Sequence, residues 1–457
     1  MTTLRRSSPF LALAFACATA QAAPTLVGFS RLDPNTFSDG PTSGQFVAPA
    51  NGITPPFQRR QPVQGFSAVL DGPRAGTFLV MPDNGFGTKP NSPDALLRMY
   101  AVKPEFRTPR GGRGDVEPVS FEHGHETRSF HAGARITLRD PDRKLGFPIV
   151  ADAPFYPYAG TGPGSASIPV DPAIRAGRLL TGGDFDIEAV RADRYGNFWF
   201  GDEFGPFLVK TDRTGKVLAR EFPLPGVQSP QNPYLGTGTP TLRGSNGFEG
   251  MGMNSAGTRL YPLLEGPLVA DTNQKRLVIN EFDIKAEAYT GRRWAYRMEP
   301  LGTNIGDMTA INDNEFLVIE RNGSQGDPNR PGDFPAVANF KKIYRIDLTK
   351  VDADGFVEKT EVVDLLNVAD PHDLDRDGFK RFTFPFVTIE DVLIVDERTL
   401  LVINDNNYPG NGGRTTTRPD GTEFILVRLD DALDTPIEAD NGDGLGEHRR
   451  HRPWHRD

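Results

Sequence analysis

Acidic side chains recur at matching positions in five similar segments of this 457-residue chain. A segment has a short apolar strand, usually with an acid near its start, then a turn and a second apolar strand with an acid at its end. The acids at first-strand starts are Glu188, Glu249, Asp307 and Glu390. Those at second-strand ends are Asp83, Glu203, Glu265, Glu320 and Asp405, with Asp202 beside Glu203. Glutamate is a poor turn former, so its return in one register indicates a function.

Crowded carboxylates repel one another unless protons or cations neutralise them. Hard oxygen ligands select Ca²⁺ or Mg²⁺, and a flexible ligand number together with export favours Ca²⁺. We therefore predict a calcium site with these acids as ligands. Turn formation is an equal interpretation for Asp83, Asp202 and Asp405, which stand beside Asn or Gly. The main competing interpretation for the set is ion pairing with Arg321, Lys210 and Arg345.

A second cation signal is local. The run Asp373-Leu374-Asp375-Arg376-Asp377-Gly378 places carboxylates at positions one, three and five of a calcium loop and glycine at position six. Phe384 replaces the usual bidentate glutamate at position twelve, so the EF-hand pattern is incomplete. We predict a calcium-stabilised loop with Asp373, Asp375 and Asp377 as ligands; a merely polar loop is the alternative.

The elements that position the repeated acids are short strands. Two more strands follow the first two in most segments, and four antiparallel strands make one blade of a β-propeller. In a blade the first strand lines the central channel and the second runs back beside it. First-strand starts and second-strand ends therefore meet at one face, which predicts that all nine repeated acids lie at one mouth of the channel.

The spacing of the segments bears on the number of blades. They start at positions 67, 188, 249, 307 and 390, and the first interval is about twice the second. A degenerate blade near 134–138 would fill it, so we predict an all-β fold: a single β-propeller of six four-stranded blades, with five or seven as alternatives. The last segment shows three strands, and residues 25–29 would complete it and close the ring. Residues 141–177 and 323–339 are predicted to be long loops.

The first 22 residues are typical of a secretory signal, with Arg5 and Arg6 before an apolar stretch and Ala20-Gln21-Ala22 at the cleavage site. We expect a secreted or periplasmic protein whose mature chain lacks its single cysteine, Cys17. Disulfides, cysteine zinc sites and a thiol nucleophile are thereby excluded. The 49 glycines and 40 prolines suit many short strands joined by turns.

The net charge of the chain indicates which classes of partner it can bind. Sixty acidic residues oppose 51 basic ones, so the body of the protein repels nucleic acid, and no later stretch is long and apolar enough for an integral membrane segment. We expect a monomer with a propeller over residues 23–435 and a disordered basic tail over 436–457.

Several motifs resemble those of the phytase-like family, also described as "esterase-like activity of phytase". They are Asp186-Ile187-Glu188-Ala189-Val190, Gly201-Asp202-Glu203-Phe204-Gly205, Gly247-Phe248-Glu249-Gly250, Thr388-Ile389-Glu390-Asp391-Val392 and Asn404-Asp405-Asn406-Asn407. The resemblance covers roughly residues 60–430. It implies a β-propeller related to calcium-dependent propeller phytases, which hydrolyse phosphate monoesters.

The residues and the resemblance together give a functional hypothesis. An exported calcium-dependent hydrolase would bind a small-molecule phosphate ester or ester at the acidic mouth, where two or more Ca²⁺ ions screen the phosphoryl oxygens and activate a water. Glu188 and Glu249 are the predicted catalytic carboxylates, and Arg321 or Lys210 would steady the developing charge.

Two other functions stay open at this stage. One is a non-catalytic propeller that binds a partner or glycan and uses Ca²⁺ only for rigidity. The other is a lactonase-like enzyme with one calcium ion in the channel.

Overall fold

The computed structural model describes residues 23–157, 168–410 and 412–437. The predicted signal with Cys17 and the predicted tail from residue 438 onwards lie outside these residues, as do 158–167 of the first predicted loop. The helical elements are a short α1 (Pro172–Gly177) and 3₁₀ turns at Ala132–Ala134, Val150–Asp152 and Pro331–Asp333. Within the described ranges, no helix has the length and apolar composition needed to cross a bilayer.

Strands make up the rest of the regular structure. In the first half of the chain they are β1 (Thr25–Leu32), β2 (Phe37–Asp39), β3 (Arg60–Pro62), β4 (Phe66–Asp71), β5 (Phe78–Pro82), β6 (Arg98–Pro104), β7 (Val116–Pro118), β8 (Arg135–Thr137), β9 (Ile187–Ala192), β10 (Phe198–Asp202), β11 (Phe207–Thr211) and β12 (Phe222–Pro223). In the second half they are β13 (Phe248–Met253), β14 (Arg259–Leu264), β15 (Arg276–Asp283), β16 (Ala288–Arg297), β17 (Asn304–Ala310), β18 (Glu315–Arg321), β19 (Lys341–Val351), β20 (Val357–Asp364), β21 (Val368–Ala369), β22 (Arg381–Phe382), β23 (Asp391–Asp396), β24 (Thr399–Ile403) and β25 (Thr422–Arg428).

These strands form five blades of a β-propeller. From the axis outwards, the blades are β4-β5-β6-β7, β9-β10-β11-β12, β13-β14-β15-β16, β17-β18-β19-β20 and β23-β24-β25-β1. Their innermost strands contact one another around a closed ring in the order β4, β9, β13, β17, β23 and back to β4. The prediction of a β-propeller is confirmed, with the five-blade alternative correct.

The preferred count of six blades is wrong because the long first interval contains no separate blade. Arg135–Thr137, in the stretch assigned to a degenerate blade, pairs with β6 as an extra strand of the first blade. The chain that follows packs Leu138, Ile149 and Ile174 into the same apolar core as Val190 of the second blade. The extra residues thus fill the space between two blades.

The ring closes as expected from the sequence. Strand β1 pairs antiparallel with β25 from Thr25 opposite Arg428 to Leu32 opposite Thr422. The N-terminal strand therefore becomes the fourth strand of the last blade, and β21 and β22 extend that sheet beyond it. Because this closure joins the two ends of the propeller, both ends of the chain hold the same blade together.

The second strands are buried on both faces because each lies between neighbouring blades. Strands β5 and β10 have no exposed residue, which explains their continuous apolar sequence. Trp199 of β10 is fully buried and packs against Phe282 of the third blade, with ring centroids 5.4 Å apart. Burying each such side chain contributes about 1.5–3 kcal/mol, so packing between blades can hold this fold without disulfides.

Candidate metal centre at the channel mouth

A register shift in the inner strands determines which side chains reach the mouth. Near the start of the inner strand, the pairing of the first two strands skips one residue in four blades, and the skipped residues are Ser67, Glu188, Glu249 and Gly306. Such β-bulges bend the strand locally and redirect a side chain. Glu390 stands just before β23, where its N–H donates to the carbonyl of Ile403 (3.3 Å).

The ends of the second strands supply the facing side chains. The N–H groups of Asp83, Glu203 and Glu265 donate to carbonyls that precede the bulges, at 3.4, 2.9 and 2.8 Å. In the fourth blade the matching residue is Arg321, which pairs with Asn304. The first, second, third and fifth blades therefore present carboxylates at this mouth, whereas the fourth blade presents glycine and arginine.

Three carboxylates from the second and third blades form a close group. Glu188, Glu203 and Glu249 are buried, and one oxygen of each lies within 4.8 Å of the others. A second group on the same criterion joins Glu188 to Asp83 and Asp186. Sequence analysis missed Asp186 as a ligand candidate, although an acid two residues before Glu188 was a visible signal.

Arg321 is the counter-ion inside this ring. Its Nη2 lies 2.7 Å from Glu390 Oε1, 3.2 Å from Glu249 Oε1 and 3.6 Å from Glu265 Oε1. Arg321 and its three partners are all buried. A single guanidinium cannot neutralise so many acids, and two like charges 4 Å apart near a protein surface repel by about 4 kcal/mol.

Burial and crowding raise the pKa values of the carboxyl groups at the mouth. Burial, followed by the charges of neighbouring carboxylates, raises the pKa values of Glu188, Glu203 and Glu249 well above the ordinary range. Burial also raises the pKa of Glu390 to about 8, against the lowering effect of Arg321. Burial raises the pKa of Asp186 to about 7. Without cations, this mouth therefore retains protons at neutral pH.

The residues fit a hard divalent cation. Glu203 Oε1 is buried and has no hydrogen-bond partner among the described residues. Such an orphaned acceptor is costly unless a cation or proton meets it. The donor set is all oxygen, which suits Ca²⁺ with its six to eight oxygen ligands.

Two predicted metal ligands, Asp307 and Glu320, are not brought into this cluster. Each lies one residue away from the position of its blade that faces the mouth. Asp307 follows the bulge at Gly306; it accepts from Val392 N at 3.0 Å and lies 3.3 Å from Arg191 Nη2. A Cβ on Gly306 would stand 1.9 Å from the carbonyl oxygen of Ile389, so the close approach of the next blade requires glycine.

Glu320 precedes Arg321 and points to the outer side of its blade. Its carboxylate accepts from Lys359 Nζ, from Tyr296 Oη at 2.5 Å and from the N–H of Glu299 at 2.6 Å. Glu320 is therefore satisfied by protein donors away from the mouth.

Lys210, a predicted catalytic residue, is not at the mouth either. It lies on β11, where its Nζ is 2.7 Å from Glu287 Oε1 and 5.1 Å from the centre of the Trp199 ring. Lys341 and Lys89 instead lie near acids of the mouth, and sequence analysis missed both. Burial and the charge of Arg321 lower the pKa of Lys341 to about 6, and its Nζ donates to the carbonyls of Asn322 and Val387.

Asp202 and Asp405 mainly hold the backbone around the mouth. Asp202 accepts from the N–H groups of Asp186 (2.9 Å) and Gly205 (2.7 Å). Asp405 accepts from Asn407 N at 2.7 Å and from Thr388 Oγ1 at 3.2 Å. Burial raises both pKa values to about 7. These two acids orient the strand ends that carry the other ligands.

The second predicted site is a loop beside an arginine-lined cleft. Asp370, Asp373 and Asp375 each offer an oxygen within 4.8 Å of the others, with Asp370 in the place predicted for Asp377. Phe379 N donates to Asp377 Oδ1 at 2.7 Å. The cleft, of about 770 Å³, is lined by Arg31, Arg107, Arg330, Arg376, Arg414 and Arg418 as well as acids. These arginines come from separate segments, so no run in the sequence reveals them.

The family assignment follows from a match to the family model described as "Phytase-like: Esterase-like activity of phytase", over residues 61–408. The chain belongs to the phytase-like family. That match spans the four central blades and reaches into the last one. No curated protein matches this phytase-like chain.

Three solved structures match most of this chain at low identity. A calcium-binding regucalcin from Agrobacterium tumefaciens has 10% identity and a TM-score of 0.35, over 88% of this chain and 99% of the other. A luciferin-regenerating enzyme has 10% identity and a TM-score of 0.34, with coverages of 82% and 97%. An endo-arabinanase from Bacillus licheniformis has 10% identity and a TM-score of 0.33, with coverages of 79% and 92%. All three are distant in sequence and shape.

Proposed function

We propose that this phytase-like protein is an exported, calcium-dependent hydrolase of phosphate esters that acts at the acidic mouth of its channel. The observation that carries the proposal is the group of Glu188, Glu203 and Glu249, buried side chains whose oxygens converge within 4.8 Å. Of the three, Glu249 lies beside the guanidinium of Arg321, and Glu203 keeps a buried oxygen that a cation or a proton must neutralise.

Glu188, Glu203, Glu249 and Asp186 are the residues that would hold the cations. Bound divalent ions supply positive charge to the phosphoryl oxygens and lower the pKa of an attacking water. That charge also removes the repulsion that a bare ring of carboxylates exerts on an anionic ester. The oxygen donors of this group suit the calcium that the family resemblance implies.

The chain's own residues would manage the proton and the developing charge. Glu188, whose pKa burial and Asp186 raise, takes the proton of the attacking water as its oxygen bonds to phosphorus. The bond from phosphorus to the ester oxygen breaks, and the same proton passes to the departing alcohol. Arg321 Nε has no hydrogen-bond partner among the described residues and donates to a phosphoryl oxygen.

The direct test is hydrolysis of 4-nitrophenyl phosphate with and without a calcium chelator. We expect activity that chelation abolishes and added Ca²⁺ restores. The double variant Glu188→Gln with Glu249→Gln is expected to lose more than about 100-fold in kcat. Glu281→Gln is the matched control, because Glu281 is also buried but lies on β15, bound to Thr290 and Arg292. Activity that ignores both chelation and the double variant would contradict the proposal.

A calcium-stabilised binding propeller is the second candidate, because the clustered acids come from several blades. A shared cation would therefore tie blades together without any chemistry. The same double variant discriminates: lost turnover with an unchanged melting temperature indicates catalysis. A lower calcium-dependent melting temperature in a protein without turnover on any phosphoester or ester indicates a structural role.

We also propose export through cleavage of residues 1–22. The first described strand, β1, begins at Thr25, so cleavage after Ala22 leaves the ring-closing strand intact. Mass spectrometry of the protein recovered from the periplasm or medium is expected to give Ala23 as the first residue. An intact N-terminus in the cytoplasm would contradict export.

A further inference from the structure

A cavity opens directly beside the acidic mouth. It has a volume of about 330 Å³ and is enclosed by the β2–β3 region, the loop after β5 and the loop after β24. Asp83 and Asp405 belong both to its lining and to the charge network of the mouth. A molecule that places its phosphate among the carboxylates therefore has this cavity next to it. Its size is that of a small-molecule pocket.

One wall of the cavity is aromatic and firmly held. Phe86 and Tyr408 line it and are nearly fully buried. Phe57 packs behind both, with ring centroids 6.3 Å from Phe86 and 5.8 Å from Tyr408. Phe37 supports Phe57 at 5.1 Å. Only 8% of Phe86 and 5% of Tyr408 is exposed, so the two rings offer a ligand a small, rigid apolar contact at little cost in side-chain entropy.

The remaining lining is uncharged apart from the two acids that border the mouth. No lysine or arginine is among the described residues that line the cavity. Asn91 and Asn407 offer amide groups on its rim. Extra phosphate groups on a ligand would face carboxylates and apolar rings here, without a cationic partner, and that desolvation is unfavourable.

We propose that this cavity binds the alcohol part of the substrate, and that this part is an uncharged, ring-bearing group rather than a polyanion. The inference rests on the proposed hydrolysis of phosphate esters at the mouth. It adds the substrate class: monoesters in which one phosphate is attached to a flat, neutral alcohol. The ring contacts the exposed edges of Phe86 and Tyr408, with the ester bond on the side of the cavity nearest the mouth.

The experiment uses the mature protein with Ca²⁺, the ester 2-naphthyl phosphate, and its product 2-naphthol as an uncharged binding probe. Val47→Arg adds a charge to the half-buried lining and is expected to raise KM and the Kd of 2-naphthol about tenfold or more, with kcat little changed. Val351→Arg, at an exposed position, is the matched control and is expected to behave as wild type. Ala50→Arg, on the same rim, replaces Val47→Arg should the latter lower the melting temperature.

Three results would overturn the inference. They are hydrolysis of 2-naphthyl phosphate without measurable 2-naphthol binding, unchanged 2-naphthol binding in the cavity variants, and a kcat/KM that is higher for inositol hexakisphosphate than for 2-naphthyl phosphate. Binding of 2-naphthol that the cavity variants abolish, in a protein that hydrolyses no phosphate ester, would refute the proposed function and still support a neutral-ring site.

Discussion

The channel mouth and the Asp370–Gly378 loop are both acidic, yet they are built in opposite ways. At the mouth, carboxylates from sequence-distant blades converge with one arginine, and Glu203 keeps an oxygen without a partner among the described residues. In the loop, the acids are close in sequence and accept from the loop's own backbone, although Asp377 Oδ2 is also buried without a partner among the described residues. Asp370 Oδ2, for example, accepts from Leu374 N at 2.6 Å, and Asp373 Oδ1 from Gly378 N at 3.0 Å.

The difference indicates which acidic cluster is the stronger candidate for binding a cation. The loop's hydrogen bonds and nearby Arg414 compensate much of its charge, although burial raises the pKa of Asp375 to about 7 and Asp377 adds to that rise. At the mouth, burial and the neighbouring carboxylates raise the pKa values of Glu188 and Glu203 well above the ordinary range. A motif that matches a calcium loop in sequence is thus a weaker metal candidate than a cluster assembled by the fold.

Removing the counter-ion at the mouth is expected to have the largest effect. In chelated protein at neutral pH, Arg321→Ala leaves Glu249, Glu265 and Glu390 without their guanidinium and is expected to cost about 3–5 kcal/mol in free energy of unfolding. Arg292→Ala, which breaks an exposed arginine's bond to Glu281, is the control and is expected to cost about 1 kcal/mol or less. Denaturant titration measures both, and equal losses would show that the mouth does not depend on Arg321.

The pH dependence of the chelated protein is the next effect. A carboxyl whose pKa is raised by folding stabilises the fold at low pH, and that contribution is lost as pH rises through the folded value. The pKa values of Asp186, at about 7, and Glu390, at about 8, therefore predict that chelated protein loses stability between pH 5 and pH 8. For one group, a tenfold change in the acid dissociation constant on folding corresponds to about 1.4 kcal/mol of stability.

Calcium is expected to suppress that loss, because cations replace the protons as neutralising charge. Melting temperatures recorded from pH 5 to pH 8.5 with Ca²⁺ and with chelator test this expectation. Parallel curves would mean that calcium does not bind at the titrating carboxylates.

Substitution of a single predicted ligand is expected to stabilise the chelated protein and to weaken the calcium-bound state. Glu203→Gln removes one negative charge, so it should stabilise chelated protein at pH 8 by about 1 kcal/mol. The same change removes a predicted ligand and should weaken calcium binding about tenfold or more, because ligand charge sets calcium affinity. Calorimetric titration and thermal melting measure the two effects; a change of the same sign in both states would contradict the ligand role.

The smallest effect is expected in the loop. Asp373→Asn keeps the oxygen that accepts from Gly378 N, so stability should change by about 0.5 kcal/mol or less. Calcium affinity at the mouth should be unaltered. A loss of calcium binding or of melting temperature as large as that of Glu203→Gln would reverse the ranking of the two regions.

The sequence predicted the blades, the ring-closing strand and much of the mouth, because apolar strands and terminal acids repeat at visible positions. It misplaced Asp307 and Glu320 by one residue each. The β-bulge lies at the same place in the blades, so the apolar residue before it aligns Gly306, not Asp307, with Glu188. Alignment of the second strands on Phe198 and Phe316 likewise places Arg321 at the position of Glu203. Arg321, named from the sequence as a counter-ion or catalytic group, proved to occupy a ligand position of the repeat.

The preferred count of six blades was wrong for a different reason. An interval of twice the usual length fits either a degenerate blade or an elaborated connection. Only packing distinguishes them, and Arg135–Thr137 pairs with β6. The cavity walled by Phe86 and Tyr408 was also invisible, because its residues come from three distant segments.

The most direct test of the account is a crystal structure of the protein grown with Ca²⁺, with anomalous scattering used to locate the ions. We expect an anomalous peak bonded to oxygens of Glu188, Glu203 and Glu249. A mouth that contains only water at saturating calcium, with these three carboxylates turned away from one another, would contradict the central claim.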